Sequence, residues 1–256
     1  MYSAPNYLQN DNARLRRSFM LATLFTLILW VVKLTELLFG LYFVQYGVYP
    51  LRVSGLTGIA MAPLIHGSLS HLSSNTAPLI ILGTALLYGY PRSAKIVVPV
   101  LYLGTGLGVW LFARSAYHIG ASGLSFGIMF FIFTIGVLRW DKRAIILSMI
   151  VFFLYGSMIW GIFPTKPGVS FESHFFGAVI GVALAMLLKN HDPAPPPKKY
   201  SWEDESDELE AEDKTDNDQG DSGFSSAIQH SPGHATSRPV PAPFRYPLKP
   251  FPQSRR

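Results

Sequence analysis

Three residues with chemical potential stand together in Met61-Ala-Pro-Leu-Ile-His-Gly-Ser-Leu-Ser-His-Leu-Ser-Ser-Asn75: His66, His71 and Asn75. They precede and open an apolar run. Gly120-Ala-Ser122-Gly123 opens a second such run, and His174 opens a third in Glu172-Ser-His-Phe-Phe-Gly-Ala-Val-Ile-Gly181. A serine hydroxyl is a latent nucleophile and an imidazole can take its proton. The Asn75 amide, the His71 ring and the Ser122 backbone N–H are candidate donors to a developing oxyanion. Together these are the components of acyl transfer.

Spacing limits what the histidines can do. His71 and Asn75 are four residues apart, so on a helix they share one face. His66 is five before His71, about 140° away at ~3.6 residues per turn, so the two make a poor metal clamp. His66 is therefore expected in the loop leading to the helix, and neither a metal nor a cofactor is expected. Two small-residue faces bear on the serine and His174. Gly123-Leu-Ser-Phe-Gly127 follows Ser122 directly, and Gly177-Ala-Val-Ile-Gly181 begins three residues after His174. Such faces let helix backbones approach closely. If these helices cross there, Ser122 and His174 meet. Glu172, two residues from His174, falls on the wrong helix face to orient it, so a Ser–His dyad is expected rather than a triad.

Each of these residues alone would be ordinary packing in a membrane helix. Jointly they are not, because the elements that carry them place Ser122, His174, His71 and Asn75 at one depth. The chain has 256 residues, 49% hydrophobic and without cysteine, which excludes disulfides, thiolate metal sites and a thiol nucleophile. Six apolar runs, roughly 19–43, 72–90, 96–113, 122–139, 144–163 and 171–188, approach the ~20 residues that cross a bilayer as a helix. Helix is the expected form because lipid cannot satisfy open backbone groups.

Loop charges set the orientation. With the N-terminus inside, inner segments carry nine Lys/Arg and outer segments only Arg52, Arg114 and Lys166. Both termini are then cytoplasmic, and the first run reads as an uncleaved signal anchor. The basic excess, 13 Lys/Arg against 4 Asp/Glu in residues 1–190, follows from topology and does not indicate nucleic acid. The outer segment 44–70 is long and half-apolar, with four glycines and two prolines, and is expected against the outer membrane face. Lys33 and Glu36, three apart in the first run, are expected to pair with each other. Residues 191–256, with Pro193-Ala-Pro-Pro-Pro197 and an acidic stretch, read as a disordered cytoplasmic tail with an unknown partner if any.

These residues resemble the rhomboid intramembrane serine proteases. The likeness covers roughly residues 15–190 and rests on His66-x4-His71-x3-Asn75, Gly120-Ala-Ser-Gly123 and His174-x2-Gly177-x3-Gly181, in that order. It implies an all-α six-helix membrane bundle, preceded by a segment 1–14. It implies Ser122 as nucleophile, His174 as general base, and His71 and Asn75 as oxyanion donors. Phe126 matches an aromatic position that packs on the catalytic histidine. Residues 44–70 match a loop in the outer leaflet, while 144–163 and 164–171 match a mobile gate and cap. The implied partners are single-span membrane substrates and the bilayer. The compact core without a transit peptide points to a bacterial inner membrane. The rival readings are a non-catalytic relative that binds membrane helices and a small transporter or channel. The chain departs from the family in having Arg52 without a tryptophan between 44 and 70, and in its long tail.

Overall fold

The computed structural model describes residues 4–164 and 168–192, all within one compact unit. The expected tail lies outside the described residues from 193 onward. Among those described, the architecture is helical, with one isolated bridge between Val48 and His118. The helices are α1 (Ala4–Leu38), a single turn α2 (Gly58–Met61), α3 (Leu69–Gly89), α4 (Pro91–Phe112), α5 (Ser122–Arg139), α6 (Lys142–Tyr155) and α7 (Phe171–Leu188). Five helices are long and apolar enough to cross a membrane: α1, α4, α5, α7, and α6 with its 3₁₀ extension. The 21-residue α3 falls outside that set, as its first two turns carry Ser70, His71, Ser73, Ser74 and Asn75.

Several boundaries differ from the sequence reading, each for a local reason. The first helix begins at Ala4 and stops at Leu38 rather than spanning 19–43. Gly40 takes φ +62° just beyond it, and Leu41 N donates back to Glu36 O at 2.9 Å, a Schellman closure. α3 starts at Leu69, because Ser68 caps it by accepting from His71 N. The run 144–163 is not one α-helix. α6 starts on its Asp141 cap and gives way at Gly156 to a 3₁₀ segment, Gly156–Ile162. The folded part also passes residue 190. The buried Asp192 carboxylate accepts from Arg92 N and Ser93 N, capping α4, and its carbonyl accepts from Arg139.

α5 is the central helix, the most buried of the five apolar ones, while α1 and α6 expose long apolar faces as lipid contact requires. The core joins Leu72, Leu79 and Leu82 of α3 to Leu101 of α4 and Phe131, Ile132 and Ile135 of α5. α5 and α7 cross through their glycines. A Cβ on Gly177 would run into the Gly123 main chain, and one on Gly181 into the Gly127 main chain. The two small-residue faces thus meet backbone to backbone, as their spacing implied.

Lys33 and Glu36 pair at 2.6 Å and both are buried. The expected self-neutralising pair has a further task, as Glu36 also accepts from Phe43 N and so holds the start of the long loop. That loop has no tryptophan of its own. Trp110 of α4 supplies one from outside, donating Nε1 to Arg52 O at 2.9 Å, while Arg52 lies over the Tyr49 ring. Further along, Val48 and His118 exchange backbone bonds and Gly120 N donates to Ala62 O. The loop is thus laced directly to the strand of chain that leads into Ser122.

Candidate active site

Ser122 is the first residue of α5, so its N–H is among the unpaired donors of a helix start. Gly120, two residues before, takes φ +105°, and a Cβ there would lie 2.8 Å from His71 Cε1. Glycine is required twice over, by conformation and by the approach of His71. His174 lies in the first turn of α7, whose N-cap Ser170 accepts from Ser173 N. One turn later Gly177 presses α7 onto Gly123.

The crossing brings His174 Nε2 to 2.7 Å from Ser122 Oγ. Nδ1 of the same ring is 2.8 Å from the main-chain oxygen of Gly161. A carbonyl can only accept, so Nδ1 carries the proton and Nε2 presents its lone pair to the serine hydroxyl. Phe126, one turn after Ser122, stacks on the imidazole with centroids 4.0 Å apart and planes 3° from parallel. The ring is thus held at both nitrogens and on one face.

Glu172 does not take part in that arrangement. Its carboxylate faces Arg114 at 3.5 Å and His118 at 4.0 Å. His118 in turn bonds Ser170 Oγ and Arg114 O. This clasp joins the segment before Ser122 to the start of α7. The expectation that Glu172 lies on the wrong face for His174 agrees with it.

His71 and Asn75 occupy one face of α3, and the Asn75 amide donates one hydrogen to His71 O at 2.9 Å. That is the one hydrogen bond its amide donates among the described residues. Both residues line a cavity of about 950 Å³ together with Ser122, Ser125, Phe126 and His174. His71, Asn75, Ser122 and His174 thus face one shared cavity. His66 precedes α3 as expected and is buried, its ring edge-to-face with His71 at 5.0 Å. Burial, helped by the neighbouring His71, pushes the His66 imidazole down to about 4, so it is neutral at ordinary pH.

This sequence of motifs and this geometry coincide with a family match over residues 54–191, to the rhomboid domain. The chain belongs to the rhomboid family. That family is in general one of intramembrane serine proteases. Relatives of this rhomboid include an uncharacterized protein, Rv1337, of Mycobacterium tuberculosis, 37% identical over 174 residues that cover 64% of this chain and 72% of the relative. The uncharacterized Mb1372 of Mycobacterium bovis matches to the same extent, 37% over 174 residues, 64% and 72%. ML1171 of Mycobacterium leprae, also uncharacterized, is 34% identical over 177 residues, covering 64% of this chain and 68% of its own.

Some residues of this rhomboid site were not singled out from sequence. Ser125 lines the cavity one turn beyond Ser122, is 1% exposed, and its hydroxyl has no hydrogen-bond partner among the described residues. Its i, i+3 spacing from Ser122 was a usable signal. His118 and Arg114 carry no comparable one, since their partner Glu172 is more than fifty residues away in sequence. Gly161 acts through a carbonyl, which every residue has, so nothing in the sequence marks it.

Proposed function

We propose that this rhomboid is an intramembrane serine endopeptidase that cleaves membrane-spanning segments through Ser122 and His174. The observation that carries the reading is the 2.7 Å contact between His174 Nε2 and Ser122 Oγ, with Nδ1 committed to the Gly161 carbonyl. In this reading Ser122 Oγ attacks the scissile carbonyl while His174 Nε2 takes the hydroxyl proton. The tetrahedral oxyanion is received by the Asn75 amide, the His71 ring and the Ser122 N–H. His174 then protonates the leaving amine, the acyl-enzyme forms, and a water activated by the same imidazole hydrolyses it.

The reading includes six crossings, with α3 as the sixth. At ~1.5 Å per residue its 21 residues extend about 31 Å, enough for the ~30 Å hydrocarbon core despite its polar first turns. It places both termini on the cytoplasmic side of a bacterial inner membrane, from the excess of Lys/Arg in those segments. The site then opens toward the outer face, where water is available for deacylation. The substrates are single-span membrane proteins that approach laterally between α3 and α6. The domain extends over 15–190, continued by Asp192.

The test is cleavage of model single-span substrates in liposomes by the wild type, Ser122→Ala and His174→Ala. Cleavage by the wild type that disappears in both variants supports the reading. Wild-type cleavage that persists in a folded Ser122→Ala variant ends it.

A further inference from the structure

The orientation of His174 depends on a segment that is itself weakly held. A neutral imidazole has two tautomers, and only the one with its proton on Nδ1 leaves Nε2 free to accept from Ser122. Among the described residues no carboxylate bonds His174, and the nearby Glu172 is engaged with Arg114 and His118. The group that selects the tautomer is the Gly161 carbonyl, at 2.8 Å.

Gly161 sits near the end of the 3₁₀ segment Gly156–Ile162, which has no buried residue. That segment continues α6, and together they are the least buried of the five apolar helices. Phe153 and Trp160 project outward, Trp160 at 68% exposure. Met158 and Ile162 supply the packing against the core. Hydrogen-bond geometry in a 3₁₀ segment is poorer than in an α-helix, and runs longer than 3–4 residues, such as this one of 7, are uncommon. Space at the contact is tight. A Cβ on residue 161 would stand 2.7 Å from Phe126 Cζ and 3.2 Å from His174 Nδ1.

We propose that the Gly161 carbonyl is the positioning group for His174, and that, because it is carried on the α6–Ile162 segment, the dyad is armed only while that segment is seated. This rests on the reading of Ser122 and His174 as nucleophile and base. When the segment moves aside to admit a substrate, Nδ1 loses its acceptor and the bias toward the Nδ1–H form is lost. An imidazole protonated on Nε2 cannot take the serine proton, so an open site is a less reactive one. Reseating over the bound substrate restores the acceptor. The same movement thus admits substrate and withholds chemistry until closure.

The test uses the full-length protein in detergent micelles, labelled with ¹⁵N-histidine, His174 being assigned from the signal lost in His174→Gln. Ring-nitrogen shifts report the tautomer, and a fluorophosphonate probe reports Ser122 reactivity. Two variants unseat the segment differently: Gly161→Ala adds an atom against Phe126 and His174, whereas Ile162→Ala removes an anchor and adds nothing. The wild type is expected in the Nδ1–H form. Each variant is expected to raise the Nε2–H share and slow labelling at least about tenfold, within the ~10²–10⁴-fold that a general base contributes. Helical content should be unchanged. A wild type in the Nε2–H form overturns the proposal, as does an unaltered tautomer in Ile162→Ala, even if Gly161→Ala does not fold. A tautomer that responds as expected while neither labelling nor cleavage occurs in the wild type would instead refute the protease reading and leave the positioning role standing.

Discussion

The Gly123 carbonyl occupies the place where a side chain on Gly177 would have to stand. α5 and α7 therefore touch through their backbones within one turn of both Ser122 and His174, and the distance between the Ser122 hydroxyl and the His174 imidazole is set by that contact. Gly177→Ala is expected to push the helices apart. Overpacking costs about 1–3 kcal/mol, and a displacement of ~1 Å at the reacting atoms costs on the order of 10²-fold in rate. Thermal unfolding in detergent should show a lowered midpoint, and Ser122 labelling at a temperature where the variant is still folded should fall by about two orders of magnitude.

Asn75 lines the cavity, and its amide donates one hydrogen bond among the described residues. If it receives the oxyanion, Asn75→Ala should lower kcat by about 10²–10³-fold with little change in KM or in melting temperature. A change confined to KM would move Asn75 from oxyanion stabilisation to substrate binding.

Lys33 and Glu36 are both buried and joined at 2.6 Å, and Glu36 also holds Phe43 N. Removing one partner strands a charge, so Lys33→Met or Glu36→Gln alone should destabilise by about 3–5 kcal/mol. The double variant should recover much of that, apart from the lost bond to Phe43. A double-mutant cycle on unfolding free energies measures the coupling. Additive single effects would show that the pair contributes nothing as a pair.

His66 makes stability depend on acidity. Its folded pKa is lowered to about 4, by burial first and then by His71. As pH falls below the unfolded value near 6.5, the unfolded chain binds a proton that the folded one refuses. Stability is therefore full above that value and declines as pH drops toward 4, at about 1.4 kcal/mol per pH unit. His66→Gln should flatten the pH dependence of the unfolding midpoint over that window. An unchanged slope would mean that other groups cause the acid sensitivity.

Asp192 caps α4 from one hundred residues away, through Arg92 N and Ser93 N. Asp192→Ala should lower stability by about 0.5–2 kcal/mol, the range for loss of a helix cap, while Asp192→Asn should lose less. Circular dichroism melts of the two variants beside the wild type would measure the difference.

What the sequence by itself determined is what repeats locally or depends on residue type. The apolar runs mark the helices because lipid contact imposes hydrophobicity along their whole length. The glycine faces around 123–127 and 177–181 marked the crossing because only a missing side chain permits such an approach, and the crossing placed Ser122 beside His174. His71 and Asn75 shared a face by helical period alone. The tertiary structure decided the rest. That Gly161 orients His174, that Trp110 bonds the long loop at Arg52, that Glu172 serves Arg114 and His118, and that Asp192 closes α4 all depend on groups distant in sequence. Two of these, the Gly161 carbonyl and the Arg92 and Ser93 amides, are backbone atoms. Backbone is the same at every position, so only its placement in space can show which carbonyl or amide has been given work.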